Sequence, residues 1–254
     1  MKLRDQRPTS RIAQAVSPTV KKERPAHHGQ IMSTGTARKI AVICDMDETI
    51  YPGATAKDAG AWLLRHGYLG ASIYLKIIWW MLLRKLHLLD HERAFAEAIA
   101  HLRGYQIDRL RKIMDQLYRE ELAIRISPAV RRLVKRWEQQ GDLVFATESL
   151  AVIAAPMVAD LGGQTVLGTE LEIRHDIVTG RLGGPVLRDQ AKAKAITAWA
   201  AAHNYDLSRS IGVGGRPEDV AMLELVGHPI MLNPDAPARA LAVARGWEII
   251  DTGD

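Results

Sequence analysis

The sequence has a single cysteine, Cys44, among 254 residues, and no apolar run long enough to cross a bilayer. One cysteine excludes a disulfide framework and any zinc or iron–sulfur site that needs several cysteines. Aromatic residues are sparse at 6%, whereas the apolar fraction of 47% and the charged fraction of 25% are typical of globular proteins. These values exclude collagen-like, coiled-coil and wholly disordered chains, and they favour a reducing, cytoplasmic setting.

Acidic residues are scarce at the start of the chain. Residues 1–39 contain nine Lys or Arg and two acidic residues, a balance of +7, so the remaining residues, with 25 basic and 27 acidic groups, carry −2. The folded part therefore lacks the basic, aromatic-rich surface of nucleic-acid-binding proteins, and we expect no nucleic-acid partner. Residues 1–37 show neither an apolar period nor the apolar core of a secretory signal, which predicts a disordered basic tail.

From residue 38 onwards the apolar pattern predicts alternating strands and helices. The run that ends at Cys44 is continuously apolar and rich in β-branched residues, as expected for a strand buried on both faces of a parallel sheet. Residues 51–125 have a helical pattern throughout, and strands alternate with helices after them. The sequence thus predicts an α/β fold: a Rossmann-like parallel sheet core from residues 38–50 and 126–254, with an inserted α-helical cap at 51–125.

The first two predicted strand ends carry groups that suit chemistry at the edge where parallel strands end. Asp45 and Asp47 follow the first strand, and one carboxylate can attack while the other transfers a proton; a solvated acidic turn is the alternative. Thr147 follows a strand ending at residue 146 and precedes a helix predicted to begin at Ser149. A hydroxyl and free amides at a helix start suit an anion, although an ordinary helix cap has the same composition.

Two further segments complete the set. Lys192 lies in the first turn of a predicted helix over 190–203, where a cation opposes the helix dipole unless an anion is near. Residues 211–219 form a strand end and a glycine-rich loop that leads into another helix, with Glu218 and Asp219 in its first turn. Each of these signals alone is also compatible with solvated charge or simple helix capping.

In order and spacing, the four segments resemble the haloacid dehalogenase-like hydrolase superfamily, specifically its phosphoserine phosphatase-like branch. Residues 45–49, Asp-Met-Asp-Glu-Thr, are similar to the first motif, Thr147 to the second, Lys192 to the third, and residues 214–219 to the fourth. The helical insert lies where that branch has its cap, and the likeness covers roughly residues 38–250.

The resemblance implies a phosphomonoester hydrolase that acts on a small phosphorylated, anionic metabolite. It implies that Asp45 is the nucleophile, forming an aspartyl-phosphate, and that Asp47 is the general acid and then the base. Thr147, Glu148 with the amides near it, and Lys192 are implied to bind the phosphoryl oxygens. The implied cofactor is Mg²⁺, held by Asp45, Asp47 and Asp219.

One position departs from the family pattern. The fourth motif normally reads Gly-Asp-x-x-x-Asp, and Gly215 stands where its first aspartate, a direct metal ligand, is expected. Asp219 keeps the second acidic position. Three interpretations stay open: weaker metal binding through Asp219, altered chemistry at Asp45, or an impaired pseudophosphatase that binds a phosphorylated ligand or a protein partner.

The predicted cap suggests what the site accepts. Residues 51–125 contain 12 basic and 8 acidic residues, which favours anionic substrates. Residues 68–83 are mostly large and apolar, and include the adjacent Trp79 and Trp80. We expect this segment to form the core of the insert; the alternative is a lid helix that contacts a membrane surface, with a lipid phosphate as substrate. We expect no transmembrane segment, and the pattern indicates no particular oligomeric state.

Overall fold

A computed structural model of the protein describes residues 38–86, 88 and 90–253. The predicted basic tail, residues 1–37, lies outside the described residues. The described part belongs to one compact unit, which extends from residue 37 onwards.

Eight strands and nine α-helices make up the regular structure of the described residues, with short 3₁₀ and π segments between them. The strands are β1 (Ala41–Asp45), β2 (Asp142–Leu150), β3 (Thr165–Thr169), β4 (Leu171–Arg174), β5 (Ile177–Leu182), β6 (Ile211–Gly214), β7 (His228–Leu232) and β8 (Glu248–Ile250). The helices are α1 (Thr55–Arg65), α2 (Ala71–Lys85), α3 (His91–Ile99), α4 (Ile107–Leu117), α5 (Pro128–Trp137), α6 (Ala151–Asp160), α7 (Asp189–Ala202), α8 (Val220–Leu223) and α9 (Ala236–Arg245).

Six strands form one parallel sheet in the order β3-β2-β1-β6-β7-β8. Every residue of β1 is buried, because the strand is central and helices cover both faces, which explains its uninterrupted apolar sequence. The strand order reverses between β1 and β6, and ligands bind at such a switch point, beyond the carboxyl ends of the strands. The predicted α/β fold with a Rossmann-like parallel sheet is confirmed.

The remaining two strands form a small antiparallel hairpin. β4 and β5 pair with each other and are joined by His175 and Asp176, both with positive φ (48° and 62°). Two consecutive residues with positive φ are typical of the two-residue turn whose twist matches that of the two strands it joins. The hairpin contacts the insert through a bridge between Gln106 and Ile177.

Between β1 and α5, the described residues contain helices and no β-strand. The expectation that residues 68–83 form the core of this insert is wrong for α2, none of whose described side chains is buried. Trp79 is 56% exposed and Trp80 is half-buried. The physical reason is that, among the described elements, α2 packs mainly against α1 and α3, and adjacent helical residues point about 100° apart, so two neighbours cannot cover its whole surface.

Candidate active site

Asp45 ends β1 at the switch point of the sheet, and its carboxylate is buried. Lys192 Nζ donates to Oδ1 at 2.6 Å, and Thr49 Oγ1 donates to Oδ2 at 2.9 Å. The Thr49 side chain can reach Asp45 because the chain turns after β1. In this turn the Thr49 amide donates to the Met46 carbonyl, and Glu48 has a positive φ of 59°. The carboxylate therefore has both oxygens fixed by donors from different segments.

Lys192 lies between two carboxylates. It comes from the first turn of α7, and its Nζ also donates to Asp219 Oδ1 at 3.0 Å. Burial opposes the charge of this ammonium group, but Asp45 and Asp219 outweigh it and raise the pKa of Lys192. Burial and the charge of Asp219 raise the pKa of Asp45 to about 7, against the attraction of Lys192. The lysine thus compensates two acids whose charges would otherwise repel each other.

Asp47 connects the sheet to the insert. Its Oδ1 accepts from the Thr55 amide at 2.6 Å, and its Oδ2 accepts from Ser149 Oγ at 2.7 Å. Thr55 Oγ1 lies 2.7 Å from Ser149 Oγ, within hydrogen-bond distance. Burial raises the pKa of Asp47, and these hydrogen bonds oppose the shift. Since Thr55 begins α1, the carboxylate anchors the first helix of the insert beside Asp45.

The predicted helix start at Ser149 is wrong. β2 continues to Leu150 and α6 begins at Ala151, so Thr147 lies inside an extended segment. The pairing of β2 with β3 shifts register between Ala146 and Leu150, and Thr147 Oγ1 accepts from the Ser149 amide at 3.1 Å across this irregularity. The free amides expected at residue 147 therefore do not belong to a helix terminus.

Glu148 lies at the rim of the site, and its carboxylate faces a cation. Oε2 is 3.4 Å from Arg188 Nη1, and the backbone carbonyl of Glu148 accepts from Thr169 Oγ1 at 2.6 Å. An ionised carboxylate repels phosphate, so only the backbone of this residue suits the phosphate-binding role that the resemblance implies.

The loop after β6 wraps around Asp219. The amides of Gly215 and Arg216 donate to Asp219 Oδ2 at 3.0 and 3.1 Å. A Cβ at Gly215 would lie 2.7 Å from Glu48 O, 2.9 Å from Thr49 Oγ1 and 3.1 Å from Leu232 O. No side chain fits at position 215 unless this backbone shifts, so the missing aspartate leaves no gap.

The donor set does not fit a resident Mg²⁺. Within the ranges that the structure describes, no three His, Cys, Asp or Glu are grouped so that they could hold a metal ion. Both oxygens of Asp219 are engaged by protein donors, and the position of the absent aspartate is closed by oxygen atoms. Magnesium prefers near-octahedral oxygen coordination, but the carboxylate oxygens of Asp45 and Asp219 are already bonded to Lys192, Thr49 and the loop amides.

Three residues that contact the site were given no role in it by the sequence, although Thr49 lies in the segment that resembles the first motif. Thr49 and Ser149 had a signal in their spacing, since they follow Asp45 by four residues and Thr147 by two. Thr55 had none, because its contact with Asp47 depends on how the insert returns to the sheet.

Comparisons with known proteins agree with the family resemblance. A family model described as haloacid dehalogenase-like hydrolase matches residues 42–224. The phosphoserine phosphatase SerB1 of Mycobacterium tuberculosis is 32% identical over 216 residues, which cover 83% of this chain and 70% of that protein.

Solved structures share the fold. A protein of unknown function from Bordetella pertussis superposes with a TM-score of 0.78 at 24% identity, over 85% of this chain and 100% of that one. A probable phosphoserine phosphatase from Vibrio cholerae superposes with a TM-score of 0.58 at 18% identity, over 79% of this chain and 58% of that one. The similarity of fold thus covers most of the chain.

Proposed function

The chain belongs to the haloacid dehalogenase-like hydrolase family, and from that premise we propose that it hydrolyses phosphomonoesters of small anionic metabolites through an aspartyl-phosphate on Asp45. The family includes phosphatases that act on small phosphorylated substrates. The observation that carries the proposal is the buried Asp45 carboxylate at the switch point of the sheet, 2.6 Å from Lys192 Nζ, with Asp47 in the same loop.

In the proposed reaction, an Asp45 oxygen bonds to phosphorus as the ester P–O bond breaks, and the leaving oxygen takes a proton from Asp47. Water then attacks the aspartyl-phosphate while Asp47 takes a proton from it, which releases phosphate and restores Asp45. Burial raises the pKa of Asp47, which favours the protonated form that the first step needs. Lys192 supplies positive charge to the phosphoryl oxygens, and stabilising the charge on these oxygens is the main way in which proteins catalyse phosphoryl transfer.

Phosphatases of this family generally use Mg²⁺, but no step of the proposal depends on a metal. The donor set around Asp219 is incomplete for one, and Lys192 is the cation in contact with Asp45. We further propose that residues 51–125 act as the cap. Their balance of 12 basic to 8 acidic residues favours an anionic substrate, and Thr55 joins them to Asp47.

Release of inorganic phosphate tests the proposal. We expect the wild type to hydrolyse phosphoserine or an aryl phosphate, and Asp45→Asn to lose this activity by several orders of magnitude. Asp108→Asn, at an exposed position of α4, is the matched control and should keep it. Equal turnover by wild type and Asp45→Asn would show that Asp45 is not the nucleophile.

A lipid phosphate is the second candidate, and the exposure of α2 favours it. Six of the nine exposed large apolar side chains in the described ranges lie between residues 75 and 88, including Leu75 at 66%. No acidic residue occurs between Asp58 and Asp90, whereas four basic residues do. An exposed apolar face in a basic segment suits the surface of an anionic membrane. None of the described helices is long and apolar enough to cross a membrane.

An assay that compares an ester embedded in vesicles with a short-chain ester distinguishes a lipid phosphate from a small anionic metabolite as the substrate. If the substrate is a lipid phosphate, hydrolysis of a long-chain phosphate monoester in anionic vesicles should fall in Trp79→Ser/Leu82→Ser, while hydrolysis of a short-chain ester stays unchanged. Val243→Ser, which alters an exposed apolar residue on α9, controls for loss of apolar surface elsewhere. Equal vesicle activity in all three proteins would exclude a role for α2.

A further inference from the structure

One arginine joins three loops at the carboxyl edge of the sheet. Arg216 follows β6, and its Nε lies 2.9 Å from Glu48 Oε2, in the loop after β1, as a close ion pair rather than a hydrogen bond. Its Nη1 donates to Asp235 Oδ2 at 2.9 Å, in the loop after β7. A planar, permanently charged guanidinium can hold two carboxylates in fixed directions, which a single ammonium cannot.

The neighbouring Gly215 allows the loops after β1 and β7 to lie close to the loop after β6. The oxygens that a Cβ at Gly215 would meet include the carbonyls of Glu48 and Leu232, which belong to the β1 loop and the end of β7. The same two segments are therefore drawn against residue 215 by close backbone contact and against residue 216 by charge. An aspartate at position 215 would separate them, so the glycine and the arginine act together.

We propose that Arg216 is a positioning residue that cross-links the strand-end loops in place of a divalent cation, so that the site keeps its shape and binds phosphate without Mg²⁺. The cross-link itself is independent of the reaction, whereas the phosphate-binding part rests on the proposed function. A bound Mg²⁺ joins loops through carboxylates that converge on it. Here Glu48 and Asp235 converge on the guanidinium, and Asp219 turns to Lys192 and the loop amides.

Thermal unfolding with inorganic phosphate as the probe tests the cation requirement. We expect the wild type to have the same melting temperature in EDTA and in millimolar Mg²⁺, and phosphate to raise it equally in both. Gly215→Asp should gain no stabilisation from Mg²⁺, because its side chain has no room. A rise with Mg²⁺ in the wild type, or a phosphate shift that needs Mg²⁺, would overturn the proposal.

Variants of the cross-link test Arg216 itself. Arg216→Ala should lower the melting temperature by several degrees and reduce the phosphate shift, and Arg216→Lys should restore only part of both. Asp235→Asn retains an oxygen to accept from the Ala238 amide at the start of α9, and removes only the charge that faces Arg216. It should therefore destabilise the wild type but have little effect in the Arg216→Ala background. Losses that simply add would refute the cross-link.

A distant arginine controls for general loss of ion pairs. Arg131 is similarly exposed, at 34% against 31% for Arg216, and pairs with Asp160 at 2.6 Å. Arg131→Ala should lower stability and leave the phosphate shift unchanged; an equal reduction of that shift would contradict the inference. Phosphate binding in EDTA without turnover would refute the proposed hydrolysis but not the proposal that Arg216 replaces a divalent cation. Turnover that requires Mg²⁺ would support the hydrolysis and refute the replacement of the cation by Arg216.

Discussion

Replacement of Gly215 by alanine measures how tightly the loops at the sheet edge are closed. The added methyl carbon would lie 2.7 Å from the Glu48 carbonyl oxygen, closer than van der Waals contact allows, and 3.1 Å from that of Leu232, a tight contact. Because both atoms belong to the backbone, rotation of a side chain cannot relieve the overlap. Overpacking of this kind costs about 1–3 kcal/mol. For a domain of this size, roughly 2–4 °C per kcal/mol gives a fall in melting temperature of about 2–12 °C.

The assay is thermal or urea unfolding of Gly215→Ala beside Gly184→Ala. Gly184 has no atom within 4 Å of an added Cβ, so its variant should unfold like the wild type. We also expect Gly215→Ala to lose phosphatase activity, because a shifted Glu48 carbonyl displaces the loop that holds Asp47. An unfolding midpoint equal to that of the wild type would refute the argument that these oxygens close position 215.

Three further predictions follow from the buried groups. Asp45→Asn should be folded and should unfold cooperatively when followed by circular dichroism, while its phosphate release falls by several orders of magnitude. If the variant were unfolded, its loss of activity would not identify Asp45 as the nucleophile. Lys192→Met should lower the free energy of unfolding in urea by about 3–5 kcal/mol, because two carboxylates lose their shared cation, and adding Asp219→Asn should recover part of this loss. Burial and then the nearby Asp45 charge raise the pKa of the Cys44 thiol, so a thiol reagent should label it only after denaturation; rapid labelling of the native protein would show that β1 opens locally.

Local sequence was sufficient where a short segment decides its own structure. The apolar run before Asp45 predicts a buried central strand because no polar residue interrupts it, and β1 is buried throughout. Ser127 and Pro128 predict a helix start, and Ser127 Oγ does accept from the Val130 amide at the start of α5. The resemblance of the four segments to the family motifs implies that Asp45, Lys192 and Asp219 share one site, and in the structure Lys192 contacts both carboxylates.

Local sequence did not predict the structure correctly where the neighbouring elements determine it. Residues 147–150 resemble a helix start, but β2 continues to Leu150, which pairs with β3 in a shifted register. Thr147 Oγ1 accepts from the Ser149 amide within this extended segment. The apolar pattern of α2 equally suits a core or a surface helix, and the packing of the described residues leaves Trp79 56% exposed.

The meaning of Gly215 and Arg216 was decided by tertiary structure alone. From the sequence, a glycine in place of an acid indicates a lost ligand. The arginine beside it suits either a positive charge where the charge of the metal would be or, more commonly, a solvated side chain. Their actual neighbours, Glu48 and the end of β7 with Asp235, are distant along the chain and meet them only because β1, β6 and β7 lie side by side. A residue's own sequence context sets its chemistry and its local backbone, but the atoms that surround it are set by strand order, and these decide what a site can bind.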